Sequence, residues 1–288
     1  MISIIIPTYN KPLRLTKCLK NILSCKVNYK IEIIVINDGT LEITNAALDL
    51  IINNNVNLDF KVINTNHCGR AMARNIGAEN ATYDILLFLD DDIIIDADVI
   101  NMHVKSHVNK SISNYVVHGR VLAIPYLKLF AENDVEKTKI YMQNSKYVEL
   151  AAYMNDFNNI SIDVLNKYAT DSKFEKFVKH NVDQNLEYKW VGFVGANTSV
   201  KKSFFQTTGG FDSSFGLNWG GEDLEYGYRL HRFYNAMFVY DFTTRAFHLD
   251  HSGVDRQQQH KINMKYFREK YNMDESIGYL EKILNGFK

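Results

Sequence analysis

The sequence predicts an α/β protein built on a mostly parallel sheet with helices on both faces. Short, continuously apolar segments recur near the N-terminus, and such runs are typical of strands that are covered on both faces. Segments with helical periodicity lie between them, which is the order expected of parallel strands joined by crossover helices. The predicted strands are Ile2–Ile6, Ile31–Ile36, Phe60–Ile63 and Ile85–Leu89.

Helices are predicted between these strands and in the second half of the chain. In the first helix, residues 13–24, the apolar residues Leu15, Cys18, Leu19 and Ile22 share one face. The later predicted elements are helices at 41–54, 70–79 and 173–179, a glycine-rich strand at 190–197, a helix at 222–232, strand-like segments at 236–248, and C-terminal helices near 256–271 and 274–285.

Composition excludes several classes of protein. The chain has 33 Lys and Arg against 33 Asp and Glu, so it lacks the basic excess of a general nucleic-acid binder. Three cysteines without a CxxC pair indicate neither a disulfide framework nor a zinc knuckle, and they favour a cytosolic location. The apolar runs are too short for a signal peptide or a membrane span. We therefore expect a cytoplasmic protein with no transmembrane segment. Peripheral association with a membrane is compatible with this expectation.

Polar residues follow the predicted strands. In open parallel sheets, ligands bind beyond the carboxyl ends of the strands. No GxGxxG follows the first strand and no GxxxxGK[ST] occurs, which argues against a usual dinucleotide site and excludes a P-loop. The residues to inspect are Pro7-Thr8-Tyr9-Asn10, Asp38-Gly39, Asn64 to His67, and Asp90-Asp91-Asp92.

The run Asp90-Asp91-Asp92 directly follows the fourth predicted strand. Three adjacent carboxylates repel one another, so they need a cation or strong hydrogen-bond donors. Oxygen ligands at a strand's carboxyl end suit a divalent metal ion. The alternative is a solvated acidic turn that caps a following helix, and the pattern alone favours neither.

A second acidic pair, Glu222-Asp223, begins a predicted helix. Acids in a first turn interact favourably with the helix dipole, by about 0.3–1 kcal/mol, which is a purely structural interpretation. The preceding residues favour a functional one: Gly220-Gly221 allows close packing, and Trp219 offers a platform for a sugar or a ring.

Basic and imidazole side chains form a third group of candidates. Arg70 and Arg74 lie four residues apart on one helix face, where they could meet a diphosphate or a base, or pair with nearby acids. His248 and His251 are candidate ligands near the end of the last strand-like segment. His67 has no metal-ligand spacing and is interpreted as structural.

These segments, taken in order, resemble the family 2 glycosyltransferases, which have the Rossmann-like GT-A fold. Each motif is weak alone, but five in order at suitable distances are specific. The WGGED form at 219–223 is similar to that of galactosyl- and N-acetylgalactosaminyl-transferases. The matching stretches are Ile4–Asn10, Ile34–Gly39, Gly69–Ala78, Phe88–Asp92 and Gly209–Leu230.

The resemblance implies a UDP-sugar donor, a divalent metal (Mn²⁺ or Mg²⁺), and a hydroxyl acceptor on a glycan, cell-surface polymer, lipid or peptide. An imidazole ligand favours manganese. The implied donor-binding residues are Pro7, Thr8, Tyr9, Asn10, Asp38, Arg70, Arg74, Asp90, Asp91, Trp219, Gly220 and Gly221.

Individual roles follow from the same resemblance. Tyr9 would lie against the base, Asp38 would accept from the uracil N3–H, and Arg74 would lie near the base. The implied metal ligands are Asp90, Asp92 and His248, with His251 as the rival of His248. Asp223 would be the catalytic base. Glu222 beside it is a second catalytic candidate, and orienting the acceptor is the role considered for it.

The expected reaction is transfer with inversion at C1 by direct displacement, since one carboxylate suffices to take the acceptor proton. Two other functions are considered: an inactive sugar-nucleotide-binding module that recruits a partner, and a nucleotidyltransferase. The joint presence of Asp92 and Asp223 argues against the first. The sequence Pro7-Thr8-Tyr9-Asn10, which is not a glycine-rich basic loop, argues against the second.

The expected organisation has four segments. Residues 1–124 would form the nucleotide-sugar-binding half, 125–188 a largely helical insertion, 189–255 the acceptor and catalytic half of the same domain, and 256–288 the C-terminal helices. The insertion matches no segment of the family, and we expect it to shape acceptor binding, because insertions on a rigid scaffold often carry specificity.

Overall fold

The structure, a computed structural model, describes residues 1–39, 59–108, 113–124, 148–155, 161–249 and 255–286. The predicted helix at 41–54 lies outside these ranges. Within them, eight strands form one sheet: β1 Ile2–Thr8, β2 Ile31–Asn37, β3 Asp59–Asn64, β4 Ile85–Leu89, β5 Ile93–Ile95, β6 Tyr115–Ile124, β7 Asn197–Lys201 and β8 Met237–Leu249. Their order across the sheet is β3-β2-β1-β4-β7-β6-β8-β5.

Helices are numbered over the described residues, where none is long and apolar enough to cross a bilayer. They are α1 Pro12–Ser24, α2 Arg70–Glu79, α3 Val99–Val108, α4 Val148–Asn155, α5 Ile162–Tyr168, α6 Lys173–Asp183, α7 Lys202–Thr207, α8 Glu222–Tyr234, α9 Arg256–Lys270 and α10 Glu275–Asn285.

The first four strands form the predicted parallel half. Thr8 pairs with Asn37, and Asn37 pairs with Asn64, so three carboxyl ends meet at one edge of the sheet. Successive residues of β1 face opposite sides: Ile4 packs with the apolar face of α1, whereas Ile5 packs with α2. The prediction of a sheet with helices on both faces is confirmed.

The other half of the sheet is mixed. β7 runs antiparallel to both β4 and β6, and β5 runs antiparallel to β8, whereas β6 and β8 are parallel. In the β5–β8 pairing, Ile93 lies opposite His248, and the Leu249 N–H donates to the Asp92 carbonyl at 2.9 Å. This pairing brings the last predicted metal ligand beside the acidic run.

The strand predicted at 190–197 is wrong. Residues Lys189–Gly192 form a 3₁₀ turn, and β7 begins only at Asn197. Trp190, Val191 and Phe193 are all buried, so their apolar character serves a core that surrounds the turn. It does not serve one face of a strand.

The C-terminal helices are fixed to α8 by a buried carboxylate. Glu225 is 0% exposed and accepts hydrogen bonds from Arg229 Nε at 3.0 Å, Lys270 Nζ at 2.7 Å and Tyr271 OH at 2.5 Å. Met264 and Phe267 of α9 pack into the same apolar cluster as Leu224 of α8. The last two helices are therefore built into the domain.

Replacing Glu225 with Ala should lower the free energy of unfolding by about 3–5 kcal/mol, because Arg229 and Lys270 would lose their buried counter-charge. The measurement is urea unfolding. The matched control is Glu269→Ala, which breaks another i,i+4 ion pair. In that pair the Glu269 side chain is 57% exposed and the Lys265 side chain is 77% exposed. It should cost less than about 1 kcal/mol, and equal costs for the two variants would contradict the assignment.

Candidate active site

A cleft of about 590 Å³ lies at the carboxyl ends of β1, β2 and β4, and α8 and α9 form its opposite wall. Nearly all of the sequence-predicted site residues line it: Pro7, Thr8, Tyr9, Asp38, Arg70, Arg74, Asp90, Asp91, Asp92, Trp219, Gly220, Gly221, Glu222, Asp223 and His248. Asn10 does not line the cleft, and it is exposed with a positive φ of 53°. His251 lies outside the described residues.

The acidic run lines the cleft, and two of its three residues, Asp91 and Asp92, are buried. Thr8 Oγ1 donates to Asp91 Oδ2 at 2.7 Å, and Lys11 Nζ lies 3.3 Å from Asp91 Oδ1 and 3.4 Å from Asp92 Oδ2. Burial raises the pKa of Asp91. The alternative of a solvated turn that caps a helix is wrong, because Asp91 and Asp92 are 4% and 2% exposed and strand β5 follows them.

Lys11 is a site residue that sequence reasoning missed. Its signal was its position, directly after the polar segment that follows β1 and one residue before α1. Its ammonium group supplies positive charge to two carboxylates that would otherwise repel each other.

Two of the three predicted metal ligands lie together. His248 Nε2 is 3.5 Å from Asp92 Oδ1, and a carboxylate with an imidazole is a donor set that suits Mn²⁺. Asp90 Oδ1 accepts from Arg74 Nη2 at 2.8 Å, and the role of Asp90 as a metal ligand stays a prediction. Among the described residues, no three His, Cys, Asp or Glu side chains form a ready metal cluster.

Arg74 lies between the two acidic segments. It is 1% exposed, and its Nη1 donates to Glu222 Oε1 at 2.8 Å while its Nη2 donates to Asp90. Burial alone would lower the pKa of Arg74, but Asp90, Glu222 and Asp223 raise it. Of the alternatives left open for this residue, the structure places it with the acids. Its contact with a nucleotide base stays a prediction.

Asp223 lies at the start of α8, partly exposed to the cleft. Its Oδ1 accepts from its neighbour's amide, Leu224 N–H, at 2.9 Å, and its Oδ2 accepts from Gly195 N–H at 3.4 Å. Burial, followed by the charge of Glu222, raises the pKa of Asp223 to about 6, against the opposing effect of Arg74. A carboxyl group with this pKa is a competent proton acceptor near neutral pH.

Asp38 organises the loop before α2. Its Oδ1 accepts from Thr65 Oγ1 at 2.5 Å and from Cys68 N–H at 2.6 Å, and its Oδ2 accepts from Gly69 N–H at 2.9 Å. Burial would raise the pKa of Asp38, but these hydrogen bonds outweigh it and lower the pKa. Both oxygens therefore already have structural donors, and the predicted bond from a uracil N3–H stays a prediction.

The loop that Asp38 holds also carries a second aromatic ring. His67 stacks on Tyr9, with ring centroids 4.3 Å apart and planes inclined by 12°. Both rings line the cleft. His67, interpreted from the sequence as structural, is thus placed to contact a ligand. Its only signal was its location after the third strand.

Helix α9 supplies the outer wall. Arg256 Cζ lies 4.9 Å from the centroid of the Trp219 ring, and the His260 ring is 5.9 Å from it. Asn263 Nδ2 donates to the Gly220 carbonyl at 2.6 Å, and Gly220 has a φ of 83°, which favours glycine. Arg256 and His260 were missed because nothing local in the sequence ties α9 to the WGGED segment.

The described part of the 125–188 segment also reaches the cleft. Ser172, Phe174 and Glu175 line it, and the Ser172 side chain caps α6 by accepting from Glu175 N–H at 2.9 Å. Glu175 is buried and accepts from Val121 N–H at 2.9 Å and Tyr240 OH at 2.7 Å. Helix α6 is therefore anchored to β6 and β8 with its N-terminal residues at the cleft.

Comparison with known proteins places the chain in a family. The profile of glycosyl transferase family 2 matches residues 3–147, and a profile described as the N-terminal domain of galactosyltransferase matches residues 176–252. The chain belongs to glycosyl transferase family 2. The hyaluronan synthase of Pasteurella multocida is 27% identical over 275 residues, covering 93% of this chain but 27% of that protein. The chain thus spans about a quarter of the length of this relative.

Solved structures share the architecture. GalNAc-T7 with UDP, GalNAc and Mn²⁺ superposes with a TM-score of 0.54 at 15% identity, over 86% of this chain and 43% of that one. The Pyrobaculum calidifontis mannosyltransferase PcManGT, with GDP-Man and Mn²⁺, superposes with a TM-score of 0.58 at 15% identity, over 95% of this chain and 64% of that one. At these identities the likeness establishes the GT-A fold alone.

Replacing Asp38 with Ala should release the loop before α2. The Cys68 and Gly69 amides would lose their acceptor, which should cost about 1–3 kcal/mol of stability and speed their hydrogen exchange. Urea unfolding and amide exchange by NMR measure the two effects. Asp84→Ala, at an exposed acid, should change stability by less than about 0.5 kcal/mol. Unchanged exchange at Cys68 and Gly69 in Asp38→Ala would refute the loop-holding role.

Proposed function

We propose that this chain is a metal-dependent glycosyltransferase that moves a sugar from a UDP-sugar to a hydroxyl acceptor, with inversion at C1 by direct displacement. The observation that carries the proposal is the joining of two acidic segments, Asp90–Asp92 and Glu222–Asp223, in one cleft through Arg74. Membership of family 2 and the UDP and Mn²⁺ in the GalNAc-T7 structure support it.

The charge of the cleft favours a divalent ion. Among the described residues that line it, seven are acidic and four are Lys or Arg, so a diphosphate would meet net repulsion. Asp92 and His248 are the residues that would hold Mn²⁺ or Mg²⁺. When bound, such an ion neutralises charge on a departing diphosphate. The acidic residues are Asp38, Asp90, Asp91, Asp92, Glu175, Glu222 and Asp223, and the basic ones are Lys11, Arg70, Arg74 and Arg256.

The donor base and the acceptor would contact different aromatic residues of the cleft. The stacked rings of Tyr9 and His67 provide an aromatic surface for the base. Phe174, at the start of α6, also lines the cleft, and there it would contact the acceptor. Trp219 beside α9 keeps its predicted place among the donor-binding residues. The name of the Pasteurella relative favours a polysaccharide acceptor.

Proton transfer falls to Asp223. With a pKa of about 6, its carboxylate is largely ionised at neutral pH and can accept the proton of the attacking hydroxyl. Glu222 is 3% exposed, and its Oε2 has no hydrogen-bond partner among the described residues. Such a buried acceptor suits a hydroxyl group of the substrate, which fits an orienting role for Glu222.

The two other functions find less support. An inactive binding module needs neither a base nor a metal site, yet the cleft contains both Asp223 and Asp92. A nucleotidyltransferase normally has a glycine-rich basic loop after its first strand, and residues 7–10 are Pro-Thr-Tyr-Asn. Incubation with UDP-sugars and Mn²⁺, with UDP release as the readout, separates the three functions.

UDP should bind at least about tenfold more tightly with Mn²⁺ than in EDTA, or ~1.4 kcal/mol, because the ion offsets repulsion from the acidic run. Asp92→Ala should remove this gain, whereas Asp84→Ala should keep it. Isothermal titration calorimetry measures all three proteins. Equal wild-type affinity in Mn²⁺ and EDTA would rule out the metal role.

Asp223→Asn should lower kcat by about 10²-fold or more and leave UDP affinity near the wild-type value, because the base acts on the acceptor. Glu222→Gln should cost less. In the wild type, kcat/KM should fall as pH drops below about 6. If kcat collapsed in Glu222→Gln but was retained in Asp223→Asn, Glu222 and not Asp223 would be the base.

The same substitution tests the structural interpretation of these acids. Since folding raises the pKa of Asp223 from 3.8 to about 6, its ionisation opposes folding as pH rises through this range. Asp223→Asn should therefore melt no lower than the wild type at pH 7.5. A clear loss of thermal stability would favour the structural interpretation, in which Glu222 and Asp223 only stabilise the start of α8.

Phe174→Ala should raise the acceptor KM by about tenfold and leave hydrolysis of the donor by water unchanged, if α6 contributes to the acceptor site. Phe177→Ala is the matched control on the same helix, because Phe177 packs against Tyr188, with ring centroids 6.2 Å apart. Steady-state kinetics with a series of saccharide acceptors give both values. Equal effects of the two substitutions would indicate general loosening of α6.

A further inference from the structure

We propose that Arg74 is a positioning residue of the transfer reaction: its guanidinium holds Asp90 and Glu222 at a fixed spacing and thereby sets the place and the charge of Asp223. This inference rests on the proposed function, in which Asp223 is the base. It assigns Arg74 a role through neighbouring carboxylates, distinct from contact with a nucleotide.

The first support is the geometry of the Arg74 guanidinium, whose two terminal nitrogens form a fork. Arg74 Nη1 and Nη2 each donate to a different carboxylate at 2.8 Å, Glu222 Oε1 and Asp90 Oδ1. The planar guanidinium fixes the distance and the angle between its two nitrogens. One side chain on α2 therefore determines how the loop after β4 and the start of α8 lie relative to each other.

The second support is confinement. A Cβ built on Gly195 would lie 2.5 Å from Arg74 Nη2, and Arg74 Cζ lies 5.4 Å from the Phe211 ring centroid. The next residue, Asn75, exchanges two hydrogen bonds with the Phe211 backbone, at 2.8 and 2.9 Å. Arg74 thus has little space in which to change its partners.

The third support is the link from this enclosure to the base. Gly195, which the guanidinium packs against, donates its N–H to Asp223 Oδ2 at 3.4 Å. Glu222, the partner of Arg74, directly precedes Asp223 at the start of α8. A displaced guanidinium would therefore disturb both groups that define the position of the base.

Arg74 and Glu222 have opposite electrostatic effects on the base. The carboxylate of Glu222 raises the pKa of Asp223, and the guanidinium of Arg74 lowers it. Removing the charge of Arg74 should therefore raise the pKa of Asp223, and removing the charge of Glu222 should lower it. A role of Arg74 in packing alone would not produce these opposite shifts. The other charged or titratable groups that line the same cleft are Tyr9, Lys11, Asp38, His67, Arg70, Asp90, Asp91, Asp92, Glu175, His248, Arg256 and His260.

The test compares Arg74→Met, Arg74→Lys and Glu222→Gln with the wild type. The Asp223 carboxyl is titrated by ¹³C NMR, with its signal assigned from Asp223→Asn, and the pH profile of kcat/KM for UDP release is recorded in parallel. Arg70→Met is the control for the NMR midpoint. It removes a cation from the same helix and the same cleft, whereas the side-chain charges that shift the pKa of Asp223 are those of Glu222 and Arg74.

We expect the midpoint to rise by about one pH unit in Arg74→Met and to fall by about one unit in Glu222→Gln, with Arg70→Met near the wild type. Arg74→Lys keeps the charge but loses the fork. It should hold the midpoint and lower kcat by about tenfold at pH values well above it. Midpoints that do not move in opposite directions, or a wild-type kcat in Arg74→Lys, would overturn the inference.

Two further measurements keep the result decisive. If Arg74→Met does not fold, as judged by circular dichroism, Glu222→Gln and Arg74→Lys still test the inference. In each of these two variants the new side chain is close in size to the natural one. If no UDP-sugar is turned over, the NMR midpoints alone support or refute the electrostatic part of the inference. Failure of the proposed function and failure of this inference therefore give different results.

Discussion

The buried ion pairs of Arg74 are the interaction on which the candidate site depends. They join Asp90 and Glu222, and the latter lies 148 residues further along the chain than Arg74. Without the guanidinium between them, Asp90 and Glu222 would lose the positive charge that they share. Because Arg74 is enclosed, its attraction to both acids is screened less than that of an exposed pair.

Sheet topology supplies the other constraint. The parallel half places the polar residues after β1, β2 and β4 at one edge, as expected for such sheets. The antiparallel pairing of β5 with β8 then returns the chain to that edge and sets His248 beside Asp92. Two residues from distant segments thus meet because of strand order, with no help from their spacing in the sequence.

The C-terminal helices belong to the site as well as to the fold. Glu225 and the apolar cluster around Phe267 fix α9 against α8, and this fixed helix carries Arg256 and His260 along the cleft. A wall built in this way is rigid, because its position is set by a buried ion-pair network and a packed core. The cleft is therefore shaped in part by residues far from the acidic motifs.

The sequence by itself determined the parallel half of the fold, the acidic segments and about half of the residues that line the cleft. Apolar runs and helical periodicity are local, and the strand-end rule turns them into positions such as Thr8, Asp38 and Asp90. Only the tertiary structure decided that Arg74 faces Asp90 and Glu222, that Lys11, His67, Arg256 and His260 reach the cleft, and that residues 190–197 turn instead of forming a strand. The reason is physical: these outcomes depend on burial and on long-range pairing, which bring together residues that have no local relation in the chain.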